Sequence, residues 1–200
     1  ALQTATSLTI EAGDDHKNLA TLTQVWTALS EQGATRHSCL VNVGGGMVTD
    51  LGGFAASTFK RGIAFVNLPT TLLAMVDASV GGKTGINFMG LKNEIGAFCT
   101  PNAVLIDSQF LATLDARNLR SDYAEMLKHA LIAQPEKLHA LLSFDLEQPH
   151  LTRLPPLIEA SIAVKKRVVE QDAREQGLRK VLNFGHTMGH AFESFAMRRT

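Results

Sequence analysis

Two hundred residues, 45% of them hydrophobic, suffice to bury a sizeable core, which excludes a disordered or fibrous chain. Lysine plus arginine and aspartate plus glutamate balance at 19 each, so no basic excess points to nucleic acid or an anionic membrane surface. Two cysteines, Cys39 and Cys99, make neither a disulfide framework nor a CxxC pair, and no apolar run approaches a membrane span; the expectation is a cytoplasmic protein without nucleic-acid or membrane partners.

The chain starts at Ala1 with neither an initiator methionine nor a charged signal sequence, which reads as part of a longer protein. Residues 7 to 10 (Ser-Leu-Thr-Ile) read as a short strand. A helix is expected from Lys17 to about Gln32, with Leu19, Leu22, Val25, Trp26 and Leu29 on one side. A buried strand over Ser38 to Val43 runs into Gly44-Gly45-Gly46, and a helix-compatible run begins near Val48. Ile63 to Leu68 reads as the next strand, followed by a Pro69-Thr70-Thr71 turn, a helical run over Leu72 to Ala78 and a strand over Ala103 to Asp107. Strands alternating with helices at this spacing predict an α/β fold with a parallel, doubly wound, Rossmann-like sheet. Past Leu111 the strand signal stops. Residues 118 to 133, 136 to 143, 156 to 171 and 184 to 197 read as helices, separated by turn chemistry at Gln134-Pro135, Gln148-Pro149 and Pro155-Pro156. The expected division is a sheet domain over 1–115 and an all-helical domain over 116–200.

Three segments carry candidate chemistry. A strand ending in Gly44-Gly45-Gly46 and feeding a helix exposes backbone N–H groups suited to a dinucleotide pyrophosphate, although the spaced G-x-G-x-x-G is absent because position 49 is threonine. The alternative is a tight turn without a ligand. Gly82-Lys83-Thr84 mimics the end of a P-loop, but Asp77 stands where that motif has its first glycine, and a carboxylate there repels phosphate. Lys83 stays available for a substrate anion. On the helix around Ser121 to His129, Glu125, Lys128 and His129 share one face, as an active cluster or as a plain surface ion pair. Finally, His186 and His190 stand four residues apart directly after Gly185, so spacing alone makes both of them candidate metal ligands.

Taken together, Gly44 to Asp50, Pro69 to Asp77, Gly81 to Gly85, Lys92 to Phe98, Ala124-Glu125 with Lys128, and Asn183 to His190 occur in the order and rough spacing of 3-dehydroquinate synthases, and the chain resembles that family from about residue 11 onward. The resemblance implies a shikimate-pathway lyase that uses NAD and zinc, with cobalt as an alternative metal. It converts a seven-carbon keto-acid sugar phosphate, DAHP, into 3-dehydroquinate and phosphate. Gly45, Gly46, Met47 and Asp50 would then cradle NAD, with Thr70 and Thr71 near its nicotinamide half and Asp14, Lys17 and Lys92 helping to hold it. Glu125 and His186 would be metal ligands. Here family and spacing disagree, because the family's second histidine, His190, contacts the phosphate side and assists proton transfer. Lys165 and Arg179 match a carboxylate clamp, Lys83, Asn93 and Asn183 match phosphate contacts, and Asp77, Lys128 and Glu175 match catalytic groups around the ring hydroxyls. Arg61 corresponds to an arginine that reaches into a neighbouring subunit's site, which implies a homodimer.

Departures are visible as well. The family's third metal ligand is a histidine beyond His190 that falls outside the chain. Asn118 stands where a glutamate is common near the nicotinamide, and Ala78 replaces a common serine. Two further readings share these residues. One is a related cyclase acting on another sugar phosphate, against which Arg179 and Asn183 count because a carboxylate-bearing substrate needs such a clamp. The other is an inactive NAD-binding homologue, on which the retention of Glu125, Lys128, His186 and His190 together has no purpose.

Overall fold

Asn18 sets the first regular element. Its side chain accepts the Thr21 N–H at 3.1 Å, and helix α1 (Leu19–Glu31) follows, burying Leu22 and Val25. The structure, a computed structural model, describes residues 5–197, with the side chains of His190, Glu193, Ser194, Ala196 and Met197 outside that description. Strand β1 (Cys39–Gly44) leads through Gly45 into helix α2 (Gly46–Thr58) and back to strand β2 (Ala64–Pro69), a right-sized crossover for two parallel strands. They pair in register from Cys39 opposite Ala64 to Gly44 opposite Pro69.

Between β2 and the rest of the sheet the chain inserts an antiparallel hairpin, β3 (Lys83–Phe88) and β4 (Leu91–Phe98). The short strand β5 (Ala103–Val104) then pairs parallel with β2 and completes a sheet of order β1-β2-β5. Asn42 and Asn67, opposite each other in β1 and β2, satisfy one another below α2 through an amide hydrogen bond of 2.9 Å. Helix α2 lies close above them because position 52 is glycine: a Cβ there would stand 2.0 Å from Asn42 Oδ1.

From Ala116 onward every regular element is helical. Asp115 caps α3 (Ala116–Ala133) by accepting the Asn118 N–H at 2.9 Å, while α4 (Pro135–Leu142) and α5 (Pro155–Gln171) each start on a proline, whose missing N–H costs nothing in a first turn. A 3-10 stretch over Leu178–Asn183 leads to α6 (His186–Met197). The largest core joins Leu119, Tyr123, Met126 and Ala130 of α3 to Leu141, Phe144, Leu154 and Ile158. Tyr123 stacks on Phe144 at 5.5 Å and donates its hydroxyl to Leu141 O at 3.1 Å; this burial pushes the phenol up to about 12.

The expected run after β2 forms, but not as a regular helix. One α-helical turn at Leu72-Leu73 widens into a π-helical turn over Ala74–Ala78, and Leu72, Met75 and Val76 plug into the α3 core. Asp122 of α3 accepts the Leu73 N–H at 2.9 Å, so a carboxylate from the helical half caps the turn that follows β2. Two other expectations are corrected, and one hairpin had no counterpart among them. Residues 7–10 form no strand, since no described strand pairs with them and Leu8 is exposed. The β3–β4 hairpin was not legible because its central pair, Gly85 and Gly96, lacks side chains to show alternation. The strand expected to Asp107 ends at Val104.

Candidate active site

The sheet contributes backbone groups. Helix α2 begins with Gly45 as its cap, without a side chain to accept from the first turn, and Thr49 N–H reaches back to Gly45 O at 3.1 Å. The earlier N–H groups of α2 therefore point off an uncapped, electropositive helix end. Side chains would be crowded there: a Cβ on Gly45 would lie 3.0 Å from Thr71 Cγ2, and one on Gly46 3.2 Å from Ala78 Cβ. Gly44 O accepts the Thr70 N–H at 2.9 Å, and Thr71 Oγ1 accepts the Ala74 N–H at 3.2 Å. Gly45, Gly46, Met47, Thr70 and Thr71 thus meet where the C-terminal ends of β1 and β2 adjoin.

A second group gathers around the hairpin turn. Asp14 lies in a 3-10 turn (Asp14–His16), where Asn87 Nδ2 donates to its backbone and side-chain oxygens at 3.1 Å each and Lys92 Nζ lies 3.6 Å from its carboxylate. Asn93 N–H donates to Asn87 Oδ1 at 2.9 Å. The buried Lys17 ammonium donates to both Asp50 Oδ2 and Asn93 Oδ1, tying the hairpin to α2. Burial pushes the Asp50 carboxyl above its ordinary value, and Lys17 only partly offsets this.

Between the sheet side and the helices lies a cavity of about 560 Å³. Ten of the residues singled out above line it: Asp50, Asp77, Lys83, Asn93, Lys128, Lys165, Glu175, Arg179, Asn183 and His186. Its charges come in pairs. Lys165 Nζ donates to Asp77 Oδ1 at 2.6 Å and to the Asp77 carbonyl. Burial alone would raise the Asp77 carboxyl, but the Lys165 charge and hydrogen bond, with Lys128, outweigh it and hold the pKa at about 2. Lys83 pairs with Glu175 Oε2, and Asn183 Nδ2 donates to Glu175 Oε1 at 2.7 Å. Against the opposing effect of burial, these contacts hold the Glu175 carboxyl below its usual range. Lys128 is buried, with its ammonium on Glu125 Oε1 and on Leu182 O.

Arg179 is only 2% exposed. Its guanidinium donates to Ala173 O at 2.7 Å and Gly81 O at 2.9 Å, and it lies over the Phe98 ring at 6.0 Å. Those two bonds leave further donors of the five-donor fork for a ligand. Burial lowers its pKa, opposed by Glu175 and Asp77. The loop leading to it is organised by Asp172, whose carboxylate accepts the N–H groups of Gln176 at 2.9 Å, Gly177 at 2.7 Å and Arg179 at 3.0 Å. Glu175, inside that loop, takes a left-handed φ of 56°.

Potential metal donors stand on the same wall. Ligand atoms of Asp77, Glu125 and His129 lie within 4.8 Å of one another, and the buried Glu125 Oε1 has the Lys128 ammonium as its ion-pair partner. His186 opens α6 after Gly185 (φ 83°) and lines the cavity. Carboxylate and imidazole donors grouped this closely suit a divalent zinc-type ion, while His186 lines the cavity outside that group. The His190 side chain lies outside the described residues.

Other expected residues fall elsewhere. Arg61 is exposed, away from the cavity, in a turn where Lys60 and Arg61 both take left-handed φ values of 48° and 68°. Asn118 is engaged with Asp115: its N–H and Nδ2 donate to that carboxylate at 2.9 and 2.6 Å. Sequence reasoning assigned no part to Asp172 or Asp122, and gave His129 only a place on a helix face. An aspartate directly after a helix and four residues before a Gln-Gly pair is the one local signal that pointed to Asp172.

Residues 7–121 match the family described as 3-dehydroquinate synthase N-terminal, and residues 122–200 match that described as 3-dehydroquinate synthase C-terminal. A 3-dehydroquinate synthase of Parabacteroides distasonis is 58% identical over 98% of this chain and 56% of its own length. One from Enterococcus faecalis is 46% identical over 94% of this chain and 53% of its own. The chain spans about half the length of the curated relatives it matches. Among solved structures, 2-deoxy-scyllo-inosose synthase complexed with carbaglucose-6-phosphate, NAD+ and Co2+ is similar with a TM-score of 0.86 at 29% identity, covering 93% of this chain and 52% of that one. The 2-epi-5-epi-valiolone synthase of Streptomyces hygroscopicus subsp. jinggangensis, with NAD+ and Zn2+ bound, gives 0.79 at 34% identity, covering 88% and 51%. With both family matches adjoining and together spanning nearly all of it, the chain belongs to the 3-dehydroquinate synthase family.

Proposed function

We propose that the protein carrying this chain is a 3-dehydroquinate synthase, a lyase that takes DAHP to 3-dehydroquinate and inorganic phosphate. The observation that carries this reading is the cavity itself: four cationic side chains, Lys83, Lys128, Lys165 and Arg179, converge on one space, and the three lysines are held in place by carboxylates. A substrate with a phosphate and a carboxylate needs two separate cationic positions, since burying either anion unpaired is costly. Lys83 and Asn183 would hold the phosphate with Asn93, and with His190 of the family motif. Lys165 and the remaining donors of Arg179 would hold the carboxylate. Asp77, Lys128 and Glu175 would face the ring hydroxyls.

The uncapped start of α2 supports NAD binding through Gly45, Gly46 and Met47, with Asp50, Thr70, Thr71, Asp14, Lys17 and Lys92 around it. Both cyclases named above carry NAD+ and a divalent metal in their structures. Glu125 and His186 would hold the metal, zinc with cobalt as an alternative. When bound, NAD supplies reversible oxidation of a secondary alcohol, and the metal polarises a substrate hydroxyl. The chain's own residues orient the substrate, neutralise the anion that leaves and keep the ring hydroxyls in place. Sheet residues 1–115 would serve NAD, and helical residues 116–200 metal and substrate. Exposed Arg61 would complete the site of a second subunit in a homodimer. Among the described residues no helix is long and apolar enough to cross a membrane, in keeping with a cytoplasmic biosynthetic enzyme.

Phosphate release from DAHP by the intact protein, with NAD and zinc supplied and the organic product identified by mass, tests the reading. NAD- and metal-dependent release with 3-dehydroquinate as product is expected. Faster release from a sugar phosphate without a carboxylate would shift the assignment to a related cyclase, and NAD binding without any turnover would make the protein an inactive homologue.

A further inference from the structure

His129 is completely buried, one helical turn after Glu125 on α3, and nothing in the reaction proposed above uses it. Its Nδ1 lies 2.6 Å from Ser161 Oγ, a buried hydroxyl on α5. Its Nε2 lies 3.2 Å from Glu125 Oε1. The two atoms form no hydrogen bond as placed, so Nε2 is a buried polar atom without one, while Oε1 has the Lys128 ammonium beside it. A buried ring nitrogen left without a hydrogen bond is costly, and the carboxylate oxygen facing it is an acceptor within reach. A proton on Nδ1 would leave a nitrogen lone pair against the carboxylate. A proton on Nε2 is attracted to it, and Nδ1 then accepts the Ser161 hydroxyl hydrogen.

From this arrangement we infer that His129 is a positioning residue: held by Ser161, it presents its Nε2 proton to Glu125 and fixes the orientation in which that carboxylate receives the metal. The inference rests on the proposed metal role of Glu125. Ligand carboxylates depend on such outer partners, because a carboxylate that can rotate loses the advantage of being pre-set. Lys128 also holds Glu125 Oε1, but from the cavity side. Its ammonium already reaches the Leu182 carbonyl as well as Glu125, and it lines the cavity itself. Ser161 places the anchor on α5, the helix that also supplies Lys165, so packing of α5 on α3 sets both a cavity cation and the tilt of Glu125.

Zinc affinity of the intact protein, measured by competition with a chromogenic chelator, reads this directly, with melting temperature recorded beside it. His129→Leu keeps the volume and removes the donor; it should weaken zinc binding about ten- to a hundredfold. His129→Gln returns an N–H near the Nε2 position and should recover most of that loss. Ser161→Ala should weaken binding less, in the same direction, and decides the matter alone if the Leu variant does not fold. Wild-type affinity in folded Ser161→Ala and His129→Leu proteins, with Glu125→Gln losing zinc, would overturn the positioning role and leave the metal reading intact. Full zinc occupancy in Glu125→Gln would overturn the metal reading and, with it, the inference. Equal losses in the Leu and Gln variants would reduce His129 to a packing residue.

Discussion

The two walls of the cavity are made differently. On the sheet side the groups at the start of α2 are backbone: an uncapped helix start at Gly45 and Gly46, brought against Thr71 and Ala78 by the absence of Cβ atoms. On the helical side they are side chains from α3, α5 and the loop over 172–183, with Lys165 held by Asp77 and Glu175 by Lys83 from distant parts of the chain and Lys128 by Glu125 within α3. A backbone site is fixed by local chain geometry. A side-chain site is fixed by packing of distant segments, so the second wall should be far more sensitive to single substitutions of charge, and the first to added volume.

The largest effect is expected at Lys165. Its replacement by methionine leaves the Asp77 carboxylate without its nearest cation, which costs about 2–4 kcal/mol in urea unfolding, somewhat less than a fully buried pair because the Asp77 side chain is 32% exposed. Turnover efficiency on DAHP should fall by at least roughly a hundredfold, the cost of losing a charge-assisted contact of about 3 kcal/mol. Adding Asp77→Asn to Lys165→Met should return part of the stability and none of the activity. Full additivity in that double-mutant cycle would mean that the two groups do not hold each other.

Volume is the corresponding probe of the sheet side. Gly52→Ala would bring a Cβ to 2.0 Å from Asn42 Oδ1 and should cost about 1–3 kcal/mol by separating α2 from the sheet. NAD affinity should drop with it while zinc affinity stays near wild type. An equal loss of both would show that the walls do not act independently.

Acid separates the walls by a third route. The folded-state pKa of Asp77 is about 2, below its ordinary 3.8, so its contribution to stability is fully present above about pH 4 and is lost as pH falls towards 2. Glu175, also held low by Lys83 and Asn183 against burial, adds to the same acid limb. Asp50 runs the other way: its raised value disfavours the folded state once the carboxyl must ionise. Chemical unfolding followed from pH 6 to pH 2.5 should therefore show a shallower loss for Asp77→Asn than for wild type. The smallest expected change is at the Asn18 cap of α1, whose side chain bonds Asp15 O and the Thr21 N–H and does not line the cavity. Asn18→Ala should cost about 1 kcal/mol with unchanged turnover.

The same contrast governs what the sequence could reveal. The strand before Gly44, the crossover and the helices expected from 136 and 156 are written locally, as periodicity and turn chemistry. The structure has the crossover, and it has the strand and both helices within one residue, each helix starting on the proline read as part of the turn. The hairpin was hidden because Gly85 and Gly96 face each other and β4 is nearly all exposed, which leaves no apolar alternation to read. Strand-like residues at 7–10 had the pattern but no described partner. In the cavity, family motifs singled out Lys165, Glu175 and Arg179, yet not that Arg179 also braces Gly81 O and Ala173 O, nor that Asp172 gathers three N–H groups to shape the loop. Ser161 and His129 lie 32 residues apart and meet only through the packing of α5 on α3. Such pairs have no local signature.

A crystal structure of the intact protein with NAD and a non-reacting phosphonate analogue of DAHP tests the central claim most directly. The phosphonate should sit against Lys83, Asn93 and Asn183 and the carboxylate against Lys165 and Arg179, with the Glu175 and Asp77 pairings loosened to admit them. An analogue bound outside this cavity, or with its carboxylate away from both Lys165 and Arg179, would contradict the account.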